Sequence, residues 1–110
     1  MTRDEILRKI AQVEQKEDDF NLFIRNLKNE EEHQYGCLIE ENKLFDYRFE
    51  DCKEDRELVN LLDEDQMIHQ NLQRLCSDFI CELDELQKKN RYECELEIEE
   101  LRRQLKGLEV

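Results

Sequence analysis

No proline occurs in the 110 residues and glycine stands only at positions 36 and 107, so the chain holds almost nothing that breaks or weakens a helix interior. Such a chain favours long helices joined by few turns. With 38% apolar and 43% charged residues and no tryptophan, it suits helices that divide their faces between a partner helix and water, in place of a layered globular core. The length fits one domain.

Thr2 and Glu5 stand at the spacing of a capping box, and Met1 and Ile6 at the two positions of a hydrophobic staple, so a helix is predicted to begin near residue 3. From there Ile6, Ile10, Val13, Phe20, Ile24, Leu27, Leu38, Phe45 and Cys52 follow alternating three- and four-residue steps, with Glu17, Glu31, Gln34, Glu41 and Arg48 at the polar steps. Gly36 is read as a soft spot in a continuous helix, because the pattern resumes in phase at Leu38. The charge-dense run from Glu50 to Arg56 suits a connection, within which Leu58, Val59, Leu61 and Leu62 could form one helical turn. Asp63 with Gln66 is an acidic variant of the capping box, flanked by Leu62 and Met67 at staple spacing, and predicts the second start.

In the second arm Ile68, Leu72, Leu75, Phe79, Leu83 and Leu86 form a stripe that Cys94, Ile98, Leu101, Leu105 and Leu108 carry on, after an extra step through Lys88–Arg91 with the spacing of a stutter. Gly107 is read as a frayed end. The expected fold is all-α: two long antiparallel helices in a coiled-coil-like hairpin, compatible with a dimer, as a single domain over residues 1–110. Arm one spans about 3–52, the turn about 53–63 and arm two about 64–108, each arm about 70 Å long at 1.5 Å per residue. Two helices share one seam, yet Leu7, Leu22, Phe23, Ile39, Leu44, Phe49, Cys76, Ile80, Tyr92 and Leu96 lie off it or at its edge. They form an apolar patch unless the arms rotate to bury them.

A formal charge of −13 repels nucleic-acid backbones and anionic membrane surfaces. The halves are alike, with 16 acidic and 9 basic residues in 1–55 against 14 and 8 in 56–110, as two arms of a hairpin would be. Nothing resembles a signal peptide and no apolar run approaches the roughly 20 residues that span a bilayer, so a cytoplasmic protein without membrane insertion is expected; export without a cleaved signal stays open. Five cysteines, at 37, 52, 76, 81 and 94, lack the pairing of a disulfide framework or zinc site and are read as reduced apolar side chains. His33 and His69 are read as surface residues. No Gly-rich phosphate loop, HExxH or GxSxG is present, and one seam encloses no pocket, so the expectation is no enzyme: no catalytic residue, cofactor or metal. Glu30–Glu32 and Glu93–Glu100 read as solvated faces, and Phe45 and Phe49, four apart, as hairpin packing.

With these features in view, and above all the charged amphipathic run from Phe79 to Leu101, the chain resembles the small helical accessory proteins encoded with LXG toxins of Gram-positive type VIIb secretion systems. It departs from the WXG-type secreted hairpins, having no tryptophan and no C-terminal Tyr-x-x-x-Asp/Glu: Tyr92 is followed four residues on by Leu96, and Phe79 by Leu83. Tyr47 with Asp51 has that spacing but lies near the turn. The resemblance is thus to the signal-less accessory type, and implies a targeting or chaperone-like partner of the toxin's N-terminal helical region, together with a second small helical protein. Helix-in-groove association uses apolar anchors a few residues apart, and Phe79, Ile80, Leu83, Tyr92 and Leu96 are the expected partner-binding residues. Competing expectations are a homodimeric coiled-coil scaffold and an acidic immunity or inhibitor protein.

Overall fold

The computed structural model describes residues 1–109, in which α1, Arg3–Cys52, and α2, Arg56–Glu109, pack against each other as a helical hairpin. No strand occurs among the described residues. At the start of α1 the Glu5 N–H donates to Thr2 Oγ1 at 3.3 Å and the Ile6 N–H to the Thr2 carbonyl at 3.1 Å, the cap that the sequence signals. Asp4 and Glu5 place negative charge on the first turn, where the helix dipole favours it.

The connection is far shorter than the sequence suggests. Only Lys53, Glu54 and Asp55 separate the helices, and the Asp55 N–H donates to the Cys52 carbonyl at 2.8 Å. The N-cap of α2 is Asp55, not Asp63: its Oδ1 accepts from the Glu57 N–H at 3.1 Å and the Leu58 N–H at 3.2 Å. Asp63 lies inside α2 and is exposed. No described residue has positive φ, so this turn closes without a left-handed position and needs no glycine. Gly36 and Gly107 both lie within helices, and the fraying expected at Gly107 is not seen, since α2 continues to Glu109.

The chain divides into two compact units. In the terminal unit, Met1–Leu27 with the segment from Leu83 onward, Ile6, Val13, Cys94, Ile98 and Leu101 form a buried cluster, and Ile10 and Leu105 pack against it. Ile24 and Leu83 are also buried there. Each large aliphatic side chain so buried contributes about 1.5–3 kcal/mol. The Gln87 amide donates to Asn21 Oδ1 at 3.3 Å. On α2 the inward positions are Leu83, Gln87, Asn90, Cys94, Ile98, Leu101 and Leu105. The two consecutive four-residue steps at Cys94 form a stutter, a few residues later than the sequence places it.

In the turn unit, Lys28–Glu82, the inward face of α1 carries Glu31, Tyr35, Leu38, Asn42, Phe45, Phe49 and Cys52. The stripe expected of α1 is therefore kept at Leu38, Phe45 and Cys52. Its polar steps move by one residue, Tyr35, Asn42 and Phe49 turning inward where Gln34, Glu41 and Arg48 stay exposed. Opposite them on α2 lie Val59, Leu62, Gln66, His69, Gln73, Cys76 and Ile80. Phe45 and His69 are the buried members.

Candidate functional site

The inward face of α2 in the turn unit mixes Gln66, His69 and Gln73 with Val59, Leu62, Cys76 and Ile80. His69, 8% exposed, donates from Nε2 to the Leu38 carbonyl, which also accepts from the Gln73 amide at 3.3 Å. His69 Nδ1 stands 3.8 Å from Glu41 Oε2, and its ring meets Phe45 edge-on with centroids 5.5 Å apart. Arg48 holds its guanidinium 5.7 Å from the Phe45 centroid. Reading His69 as a surface residue is thus corrected, because α2 turns that position to α1. His33 is exposed, with Nε2 3.9 Å from Cys37 Sγ. Directional bonds from His69 and Gln73 to one carbonyl fix helix register in a way that aliphatic contacts do not.

The apolar stripe of α2 lies one position away and faces outward. Leu58, Leu61, Ile68, Leu72, Leu75 and Phe79 repeat at heptad spacing and are 38–60% exposed. The sequence reading assigned Ile68, Leu72, Leu75, Phe79, Leu83 and Leu86 to the hairpin seam; of these only Leu83, 3% exposed, is buried. The α2 phase that turns Leu83, Cys94, Ile98 and Leu101 inward in the terminal unit belongs to a different set of positions from the Leu58–Phe79 stripe. Beside the stripe, Leu72 and Cys76 of α2 and His33, Gln34, Cys37 and Leu38 of α1 line an open, mainly apolar groove.

The expected partner-binding residues separate accordingly. Phe79 joins the outward stripe, Ile80 is half-buried at the seam, and Leu83 is a core residue of the terminal unit with no surface to offer. Tyr92 and Leu96 are exposed on α2 in that unit, one helical turn apart. Ile68, Leu72 and Leu75 were missed as surface because a stripe this regular reads as core, and Leu58 and Leu61 because they fall within the expected connection. Of the other residues placed off the seam, Ile39, Phe49 and Cys76 are half-buried and Leu7, Leu22, Phe23 and Leu44 exposed.

No family model, curated protein or solved structure matches this chain. The geometry carries the functional reading.

All five cysteines are free thiols. Burial first, then the carboxylate of Glu31, pushes the Cys76 thiol up; burial, then Glu17, Glu97 and Glu93, does the same for Cys94. Both are held in the protonated, less nucleophilic form. Among the described residues no three His, Cys, Asp or Glu side chains converge as metal ligands, and no helix is long and apolar enough to cross a membrane.

Proposed function

We propose that this protein is a non-enzymatic helical partner that binds an amphipathic helix of another protein along the outward stripe of α2. One observation carries the reading: Leu58, Leu61, Ile68, Leu72, Leu75 and Phe79 are 38–60% exposed at heptad spacing, while Gln66, His69 and Gln73 share the inward positions with Val59, Leu62, Cys76 and Ile80. Such a stripe leaves burial unrealised in the hairpin alone, since each large apolar side chain gains about 1.5–3 kcal/mol on full burial. Retaining the stripe outside is expected where a partner covers it. The resemblance of the second arm gives that partner a class, the N-terminal helical region of an LXG-type toxin joined by a second small helical protein. In this reading the protein acts in the cytoplasm as a targeting or chaperone-like subunit.

Co-expression with the products of neighbouring genes, with the Ile68→Asp/Leu75→Asp variant alongside, tests the proposal. Both positions are exposed, so the variant keeps its helicity and loses the partner. A variant that still co-purifies at wild-type stoichiometry removes the stripe from the interface. If reversing Glu97, Glu99 and Glu100 to lysine instead abolishes binding, the acidic-inhibitor reading takes its place.

A further inference from the structure

A stripe of six apolar side chains does not by itself select among helices, so the residues that border it decide what can lie there. With Leu58, Leu72 and Phe79 at the first core position of the heptad and Leu61, Ile68 and Leu75 at the fourth, one flank of the stripe falls on Leu62, His69 and Cys76, which face α1. The other flank falls on Glu57, Glu64, Asn71 and Asp78, all exposed. That column has no base; Arg74 stands one position further round the helix. Asp65 and Glu82 fill the two core positions that lack an apolar residue and are exposed as well.

The α1 wall of the groove beside Leu72 has the same sign. Glu30 and Glu41 stand at four-residue steps from Gln34 and Cys37, which line that groove, and both are exposed. Leu44, seven residues from Cys37 and also exposed, extends the apolar floor, and Arg48 and His33 are the bases on this wall. An incoming helix therefore meets an apolar floor between two acidic rails.

A second copy fits this surface poorly. Antiparallel pairing of two such stripes sets the Glu57, Glu64 and Asp78 columns against each other, and parallel pairing sends each column toward a flank that α1 already covers. Like charges along a seam disfavour pairing. We infer that the occupant is a helix of a different protein, with an apolar heptad stripe bordered on both sides by lysine or arginine, laid as a third helix in the groove between α1 and α2 of the turn unit. This rests on the proposed function and specifies the partner's chemistry.

The test uses the full chain and two synthetic amphipathic peptides, four heptads long, with the same leucine stripe and either lysine or glutamate at the flanking positions. At low ionic strength the lysine peptide binds about tenfold more tightly or better, because several weak opposite-charge pairs act together, and the gap narrows as salt is added. Replacing Glu57, Glu64 and Asp78 of α2 and Glu30 and Glu41 of α1 together by lysine reverses the preference while the far-ultraviolet spectrum is unchanged. Equal binding of both peptides, binding of neither, or a preference that survives the charge reversal overturns the inference. So does a wild-type dimer in sedimentation that Ile68→Asp/Leu75→Asp dissolves, for then the second copy is the occupant. If that double variant binds peptide as the wild type does, the proposed function falls as well; if it loses binding while flank charge proves irrelevant, only the inference falls.

Discussion

Truncating Leu83 and Leu75 to alanine, each alone, separates the seam from the surface. The two residues lie eight apart on α2 and both belong to the apolar pattern of the sequence, but Leu83 is 3% exposed and Leu75 60%. Leu83→Ala removes buried methyl groups and leaves a cavity that a two-helix seam can partly close, so the lower part of the Leu→Ala range applies, about 2–3 kcal/mol. Leu75→Ala removes atoms already in water and substitutes the best helix former, so its effect stays within about 0.5 kcal/mol. At the usual unfolding entropy per residue, a chain of this length loses about 4 °C of melting temperature per kcal/mol, which makes the expected shifts about 10 °C and under about 2 °C. Thermal melts followed by circular dichroism measure this, at concentrations where sedimentation shows a monomer, since self-association would bury Leu75. A monomeric Leu75→Ala that melts as early as Leu83→Ala would refute the assignment of the outward stripe.

Asp55→Ala should cost about 1 kcal/mol by removing the cap of α2, while Asp63→Ala, inside the helix and exposed, should cost clearly less; denaturant titration of the two variants decides between the starts. Asn90 Nδ2 is buried without a hydrogen-bond partner, so Asn90→Leu should raise the melting temperature, and an unchanged or lower value would show that the amide is satisfied in solution. Replacing all five cysteines by alanine should leave helicity and partner binding intact. Because the Cys94 thiol is pushed above its ordinary 9.0, the folded state is favoured while that thiol is protonated: its contribution is complete below about pH 9 and fades as pH rises further, a fading that Cys94→Ala should reduce in alkaline melts.

Much of the hairpin is legible before any coordinates. The Thr2–Glu5 cap acts through neighbours in sequence, and the α1 stripe of Ile6, Val13, Ile24 and Phe45 is buried where its periodicity places it. The turn was harder to locate because Asp55 and Asp63 both suit a helix start, and the better sequence signature belongs to the wrong one. Asp63 has Gln66 three residues on, whereas Asp55 has Leu58. The compact Lys53–Asp55 connection needs neither glycine nor proline, so it leaves no mark of the kind that announces a turn.

The candidate surface was visible as a pattern but not as a surface. Periodicity states that Ile68, Leu72, Leu75 and Phe79 share one side of a helix; it is silent on whether that side meets α1 or water. Neighbouring positions on a helix differ by about 100°, so a rotation of that size exchanges the Leu58–Phe79 stripe for the one through His69, Gln73 and Ile80 while leaving every local propensity unchanged. The sequence by itself determined two long acidic helices, the start of the first and the inward face of α1 in the terminal unit. Only the tertiary structure decided the rotation of α2, because that depends on contacts between residues far apart in the chain: His69 and Gln73 with the Leu38 carbonyl in one unit, and Cys94, Ile98 and Leu101 clustered with Ile6 and Val13 in the other.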